Sequence, residues 1–430
     1  MKRIFFLLIA AIVIIPAILF GIEFIDEPGK SEPGAPVTDT AQQIARGKYL
    51  TGAGNCMACH TVRGGQPYAG GRAIPTPFGT IFAPNVTPDV ATGIGSWNAD
   101  DFWRALHNGK SKDGSFLYPA FPYPSYTKVT RADSDAMFAY FRTLEPVRLQ
   151  NREHELRFPY NQRFLLAGWR ALYFRPGVYQ AQPGQTADWN RGAYLIQGLG
   201  HCSACHTDRN ALGASIAKAD LGGGMIPILN WYAPSLTSAA EAGLANWEVR
   251  HIADLLKTGV SERGAVYGPM AEVVGKSLQH LSDPDIDAMA GYLKSLTQPS
   301  GVQAPQVAPA PPSDAQTAAI LQSGAKLYEK HCAECHKASG AGAPTGYPPL
   351  AGNGSLTAPL AVNPIRVVLN GGYPPSTTGN PRPYGMPPFG PVLNDEEVAA
   401  VVSYIRNSWG NSARMVTASE VKRYRGVPLD

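Results

Sequence analysis

The chain has 430 residues, enough for two to four domains of ordinary size. Hydrophobic residues make up 44% and charged residues 16%, so the chain should fold, while Gly 45 and Pro 38 suggest small helical units with much loop between them. A formal net charge of +4 is nearly balanced and gives no ground for a nucleic-acid partner, which would call for a clustered basic face.

At the N-terminus, Lys2 and Arg3 precede an apolar run from Ile4 to Ile22, and Glu23 and Asp26 follow it. As a helix these 19 residues rise about 28 Å, close to the hydrocarbon thickness of a bilayer. A cleavable signal has an apolar run of about 7–15 residues and an Ala-x-Ala-like site. This run is longer and ends without one. Residues 1–25 are therefore expected to form a retained single membrane anchor, the competing reading being a removed signal. Basic residues before the run and acidic ones after it place the rest of the chain outside the cytoplasm. The expected location is the inner membrane, periplasmic side.

Residues 26–40, rich in Pro, Gly, Ser and acids, read as a tether. Helical spacing is expected in three segments, 41–54, 187–200 and 314–331, and in three later ones, 132–144, 283–296 and 395–407. Each early segment runs into a Cys-x-x-Cys-His motif, and each late one closes its unit. The expected domains are 41–150, 183–298 and 314–410. A connector at 151–182, a Pro/Ala linker at 299–313 and a tail at 411–430 complete the chain. The connector carries Phe158, Phe164, Leu165, Leu166, Trp169, Leu172 and Phe174 and is expected to be an amphipathic cover between domains.

The first two units repeat. Arg46-Gly47-Lys48-Tyr49-Leu50 answers to Arg191-Gly192-Ala193-Tyr194-Leu195, and Phe82-Ala83-Pro84-Asn85 to Tyr232-Ala233-Pro234-Ser235. The third keeps the outline in Gly324-Ala325-Lys326-Leu327-Tyr328. So long a period means similar domains rather than a solenoid.

Six cysteines occur only in pairs: Cys56 with Cys59, Cys202 with Cys205, and Cys332 with Cys335. His60, His206 and His336 follow the pairs directly. No cysteine is left for a disulfide or a catalytic thiol. A zinc ribbon would need a second pair within about 15–20 residues, and a thioredoxin-like pair a βαβ setting. Neither explains the three histidines. In Cys-x-x-Cys-His the thiols add across the vinyl groups of haem, and the adjacent imidazole binds the iron. Three covalent haem c groups are expected, in small helical domains whose folding is linked to the cofactor.

A thioether is the expected sixth ligand in two units: Met386 in Pro383-Tyr384-Gly385-Met386 and Met270 in Tyr267-Gly268-Pro269-Met270, with Met225 too early in its unit. In the first unit the repeat places Phe121 opposite Met270, and Phe cannot bind iron. Its sixth ligand stays unassigned, with five-coordination, His107, His154, a Lys or a partner residue as the alternatives. Arg46 and Arg191, with Lys326 at the like position, either pair haem propionates or lie on a solvated face. His201 and His331 read as surface residues.

With these motifs in hand, the chain resembles the triple-haem cytochrome c subunit of membrane-bound alcohol, aldehyde and gluconate or sugar dehydrogenases of acetic acid bacteria and relatives. The carriers are the three Cys-x-x-Cys-His motifs, Asn85-Val86-Thr87-Pro88-Asp89, Thr92-Gly93-Ile94-Gly95, Leu117-Tyr118-Pro119-Ala120, Gly268-Pro269-Met270-Ala271-Glu272 and Tyr404-Ile405-Arg406-Asn407-Ser408-Trp409-Gly410. The resemblance implies an all-α fold of three tandem class I-type cytochrome c domains behind an N-terminal transmembrane helix. It also implies an electron-transfer subunit with no substrate oxidation of its own. A periplasmic catalytic subunit using molybdopterin, a quinone cofactor or flavin would be the donor, and ubiquinone in the membrane the acceptor. Phe121, where the alcohol-oxidising version commonly has Met, tilts the partner toward an aldehyde dehydrogenase, and the expected retained anchor leans the same way, since the alcohol-oxidising subunits have cleavable signals. The alternatives are a haem peroxidase working at the Met-less first haem, and a free carrier or oxidase subunit.

Overall fold

A computed structural model of the protein describes Gly21 and residues 40–238, 241, 244–296, 315–343 and 346–427. The expected anchor and tether, save Gly21 and Thr40, and the Pro/Ala linker lie outside the described residues. Among the described residues no helix is long and apolar enough to cross a membrane. The chain divides into two units: Met1–Gln182 with Tyr194–Ala204 and Asn210–Ser215, and Pro183–Ala193 with Cys205–Arg209 and Ile216–Asp430.

One device recurs within these units. A helix leading toward a Cys-x-x-Cys-His motif crosses a later helix, and a glycine stands at each crossing. In the first unit Ala41–Ala53 meets Arg131–Arg142 at Gly47, where a Cβ would lie 1.9 Å from the carbonyl oxygen of Ala136. In the second, the same construction gives 2.1 Å between Gly192 and the Ala288 oxygen and 2.3 Å between Gly324 and the Ala400 oxygen. The latter joins Ala315–His331 to Asp395–Arg406. With no side chain in the way, the helix backbones come into direct contact there.

An ion pair locks two of the crossings. The residue before the glycine donates to a carboxylate three positions before the facing alanine: Arg46 to Asp133 at 2.7 Å, and Arg191 to Asp285 through two bonds of 2.7 Å. These arginines, weighed above as propionate partners, are held by their own helix pairs. At the third crossing the matching position is Ser323, so the parallel drawn for Lys326 is corrected. Lys326 is exposed, and Glu397 closes a capping box with Asn394 instead.

The helix starts follow from side-chain caps. Thr40 accepts from the Gln43 amide, Thr130 from Asp133, and Asn394 from Glu397. The frame is helical as expected, with short antiparallel additions that the periodicity did not suggest. Ala73–Thr76 pairs with Gly79–Phe82, which pairs with Glu155–Leu156; Gly224–Ile226 pairs with Trp231–Ala233, and Val260–Ser261 with Gly264–Ala265. Gly79, at φ +128°, permits the second pairing, since a Cβ would lie 2.2 Å from the Glu155 oxygen.

The connector is amphipathic and packs on residues of the 183–298 segment, with Trp169 donating to the Leu212 carbonyl at 3.0 Å and the Tyr179 and Tyr194 rings 5.8 Å apart. It belongs to the first unit, and its helix Leu166–Tyr173 buries Ala167 and Arg170, with Phe174 buried just beyond, while Phe158, Phe164, Leu165 and Leu172 face outward.

Candidate functional site

Each Cys-x-x-Cys-His motif is built on a single helical turn: Cys56–Cys59, Ser203–His206 and Ala333–His336. The second and third turns begin one residue after Cys202 and Cys332, so Cys205 and Cys335 lie within them. All six cysteines are free of disulfides. Cys59 is exposed, while Cys56, Cys202, Cys205, Cys332 and Cys335 are half-buried. Burial, with the neighbouring thiol second, pushes Cys56 up to about 12 and Cys332 up to about 11. Cys335 instead acts on a neighbour: its thiol, ahead of burial, raises the pKa of the Tyr347 hydroxyl.

The histidines share one environment. The Nδ1–H of His60 donates to the Pro84 carbonyl at 2.7 Å, His206 to Pro234 at 2.7 Å, and His336 to Pro348 at 3.0 Å. A carbonyl only accepts, so the proton sits on Nδ1 and the Nε2 lone pair is left for a metal. Burial lowers the pKa of all three rings, against the opposing pull of the proline carbonyl, and keeps them neutral. The bond to proline both orients the ring and raises its basicity toward a metal.

A glycine completes the arrangement each time. The amides of Gly70, Gly223 and Gly342 donate to the carbonyls of His60, His206 and His336 at 2.8, 2.8 and 3.0 Å. All three have positive φ, and a Cβ on any of them would strike the proline segment. The prolines and glycines are site residues that the motif alone does not reveal. The Ala83-Pro84 and Ala233-Pro234 repeat is the signal that could have found them. In the first unit Asn85 fixes this strand. Its amide donates to Val147 O at 2.7 Å and Thr92 Oγ1 at 3.1 Å, and its Oδ1 accepts from the Thr87 amide at 2.9 Å. That network accounts for the Asn-Val-Thr and Thr-Gly-Ile-Gly motifs as supports of the proline loop.

The methionines separate by burial. Met137 and Met289 are buried on the closing helices. Met270 is half-buried in the first turn of Pro269–Lys276, and Met386 is half-buried where its backbone bridges Gly372. Met386 and Cys332 border the same apolar cluster, which includes Tyr328, Ile365 and Val402. Phe121 is half-buried with its ring 5.2 Å from Tyr126. Of the alternatives in that unit, His154 Nδ1 accepts from the Phe82 amide at 3.2 Å, which places its proton on Nε2. His107 stacks on Trp103 at 4.4 Å with Nδ1 3.3 Å from Thr127 Oγ1. Neither ring has the proline-bonded form of the three motif histidines.

His201 is not the surface residue expected. It packs 5.6 Å from the Tyr126 ring in the first unit, and Tyr126 donates to the Gly54 carbonyl at 3.1 Å. A hydrogen bond to that carbonyl also acts on the His201 ring, and burial lowers its pKa. A Cβ on Gly54 would be 3.3 Å from Cys56 Sγ and 3.4 Å from Leu199. Residues just before the second motif therefore touch residues just before the first.

Paired free thiols beside a neutral imidazole with an open Nε2 are the donor set that haem c requires, and the residues present fit it. Residues 44–145 and 321–409 match the cytochrome c family. The chain is 43% identical over 399 residues to the gluconate 2-dehydrogenase cytochrome c subunit of Pantoea cypripedii, an alignment covering 89% of each chain. It is 40% identical over 406 residues to the alcohol dehydrogenase (quinone) cytochrome c subunit of Gluconobacter oxydans, covering 90% of this chain and 83% of that one. It is also 36% identical over 431 residues to the fructose dehydrogenase cytochrome subunit of Gluconobacter japonicus, covering 93% of this chain and 87% of the relative.

Proposed function

The chain belongs to the family of cytochrome c subunits of gluconate, alcohol and fructose dehydrogenases, and on that footing we propose that it relays electrons from a periplasmic dehydrogenase subunit to ubiquinone in the membrane. Three haem c groups are held: the first at Cys56 and Cys59, the second at Cys202 and Cys205, the third at Cys332 and Cys335. The observation that carries this reading is the threefold His–Pro bond, which occurs at His206 as well, outside the segments matching the family. Haem iron supplies the one-electron redox chemistry that none of the chain's side chains offers.

The chain's own residues then divide the work. His60, His206 and His336 would hold haem iron through Nε2, and Met270 and Met386 would supply a thioether ligand in the second and third sites. Phe121 denies the first site a thioether, which lowers its potential relative to the other two. The 1–25 anchor would keep the relay on the periplasmic side of the inner membrane. An aldehyde is the partner substrate we favour, on the grounds of Phe121 and of a retained 1–25 anchor.

The test is a detergent extract in which the chain and its catalytic partner stay together. Substrate should reduce the c-type haems, and a short-chain ubiquinone should reoxidise them. A partner that turns over with a quinone while these haems stay oxidised would overturn the proposal.

A further inference from the structure

We propose that the connector forms a second membrane contact, a surface on the first unit that lies on the headgroups of anionic phospholipid. This rests on the membrane reading above and adds a face to it. The helix Leu166–Tyr173 is pinned from beneath. Ala167 and Arg170, with Phe174 beyond its end, are buried, and the Arg170 guanidinium donates to the Asn108 carbonyl and lies 4.7 Å from the Phe174 ring centre. Arg163 is tied to the Phe116 carbonyl at 3.0 Å. Apolar side chains nonetheless face out: Phe164 is 53% exposed, Leu165 44% and Leu172 65%. Exposure here is imposed by the anchored side of the helix rather than by looseness.

The patch extends beyond the helix. Trp169 donates to the carbonyl of Leu212, itself exposed, at 3.0 Å. The next residue, Gly213, faces the ring of Phe78, which lies 4.5 Å from Tyr160. Phe158 stands 80% exposed nearby in the chain.

Charge chooses the occupant. No Asp or Glu occurs between Glu155 and Asp188, in a chain that has 33 of them, whereas Arg157, Arg163, Arg170 and Arg175 all fall in that interval. Arg157 and Arg175 are exposed at either end of the apolar stretch. Exposed aromatic and aliphatic side chains flanked by the exposed Arg157 and Arg175, in a stretch that contributes no acid of its own between Glu155 and Asp188, suit the interface of a bilayer. Each basic residue near an anionic surface adds about 1 kcal/mol. A polypeptide partner for such a face would have to be strongly acidic, and the apolar Ile4–Ile22 run of the same chain already points to lipid.

The experiment uses the full haem-loaded chain on phosphatidylglycerol/phosphatidylcholine vesicles, isolated by flotation. Leu165→Cys and Leu172→Cys each supply a single free thiol, and Val90→Cys, 72% exposed in the wild-type chain, is the reference. A membrane-impermeant maleimide should label positions 165 and 172 roughly tenfold more slowly than position 90. Equal rates on chains that float would overturn the surface and leave the anchor standing, whereas chains that fail to float would overturn the membrane reading itself. Protection that appears only when the catalytic subunit is added would assign the face to protein and overturn the proposal.

Discussion

Gly192→Ala is expected to cost about 3 kcal/mol or more and to strip the second domain of its native helix pair. The added methyl would sit 2.1 Å from the Ala288 carbonyl oxygen, backbone that cannot rotate away, so the helices must separate. Gly47→Ala and Gly324→Ala should behave alike, at 1.9 Å from Ala136 and 2.3 Å from Ala400. The control lies on one of the same helices. Gly291, within Asp283–Leu296, has nothing within 4 Å of its Cβ position, so Gly291→Ala should stabilise by roughly 0.5–1 kcal/mol through helix propensity. Thermal unfolding of the purified chain reads both. A tolerated Gly192→Ala would mean that the crossing is looser than described.

Much of this fold is legible in the sequence for a physical reason. The helices that lead into and close each unit show apolar periodicity and end in glycine or a polar cap, local signals that a sequence exposes. The Cys-x-x-Cys-His motif is local too, which is why Cys335 and His336 could be paired with the other two sites despite the weaker repeat around them. The proline carbonyls facing His60, His206 and His336 lie 24, 28 and 12 residues downstream, and no local pattern fixes which of several prolines closes the bond. His201 was misjudged because its burial comes from Tyr126 and Gly54, distant in the chain. The parallel drawn for Lys326 failed because the spacing from glycine to cysteine differs among the three repeats, and only the helix crossing shows the true register. The amphipathic character of the connector was legible from its spacing of apolar and polar residues, but which of its apolar side chains stay outside was not, because that depends on the contacts of Ala167, Arg170 and Trp169 with distant residues.

Met270→Ala is expected to lower the potential of the second haem by on the order of 0.1–0.2 V, within the ≈ 0.8 V range that axial ligands command. The low-spin thioether signature should vanish while the haem stays attached through Cys202 and Cys205. Met386→Ala should do the same to the third, which stays attached through Cys332 and Cys335. Met289→Ala, by contrast, removes a side chain that is 1% exposed on the closing helix. It should cost about 2–5 kcal/mol as a cavity and leave both thioether signatures unchanged. Phe121→Met provides the converse, raising the potential of the first haem. A redox titration followed in the α-band separates these cases. If Met270→Ala left the potentials and spectra unaltered, the ligand assignment would be wrong.

The central claim is that one chain covalently carries haem at all three Cys-x-x-Cys-His motifs. The intact mass of the purified chain, read under denaturing conditions that remove any non-covalent cofactor, tests it most directly. The account predicts a mass equal to the polypeptide plus three haem groups. The bare polypeptide mass, or a mass with only one or two haem groups added, would contradict it.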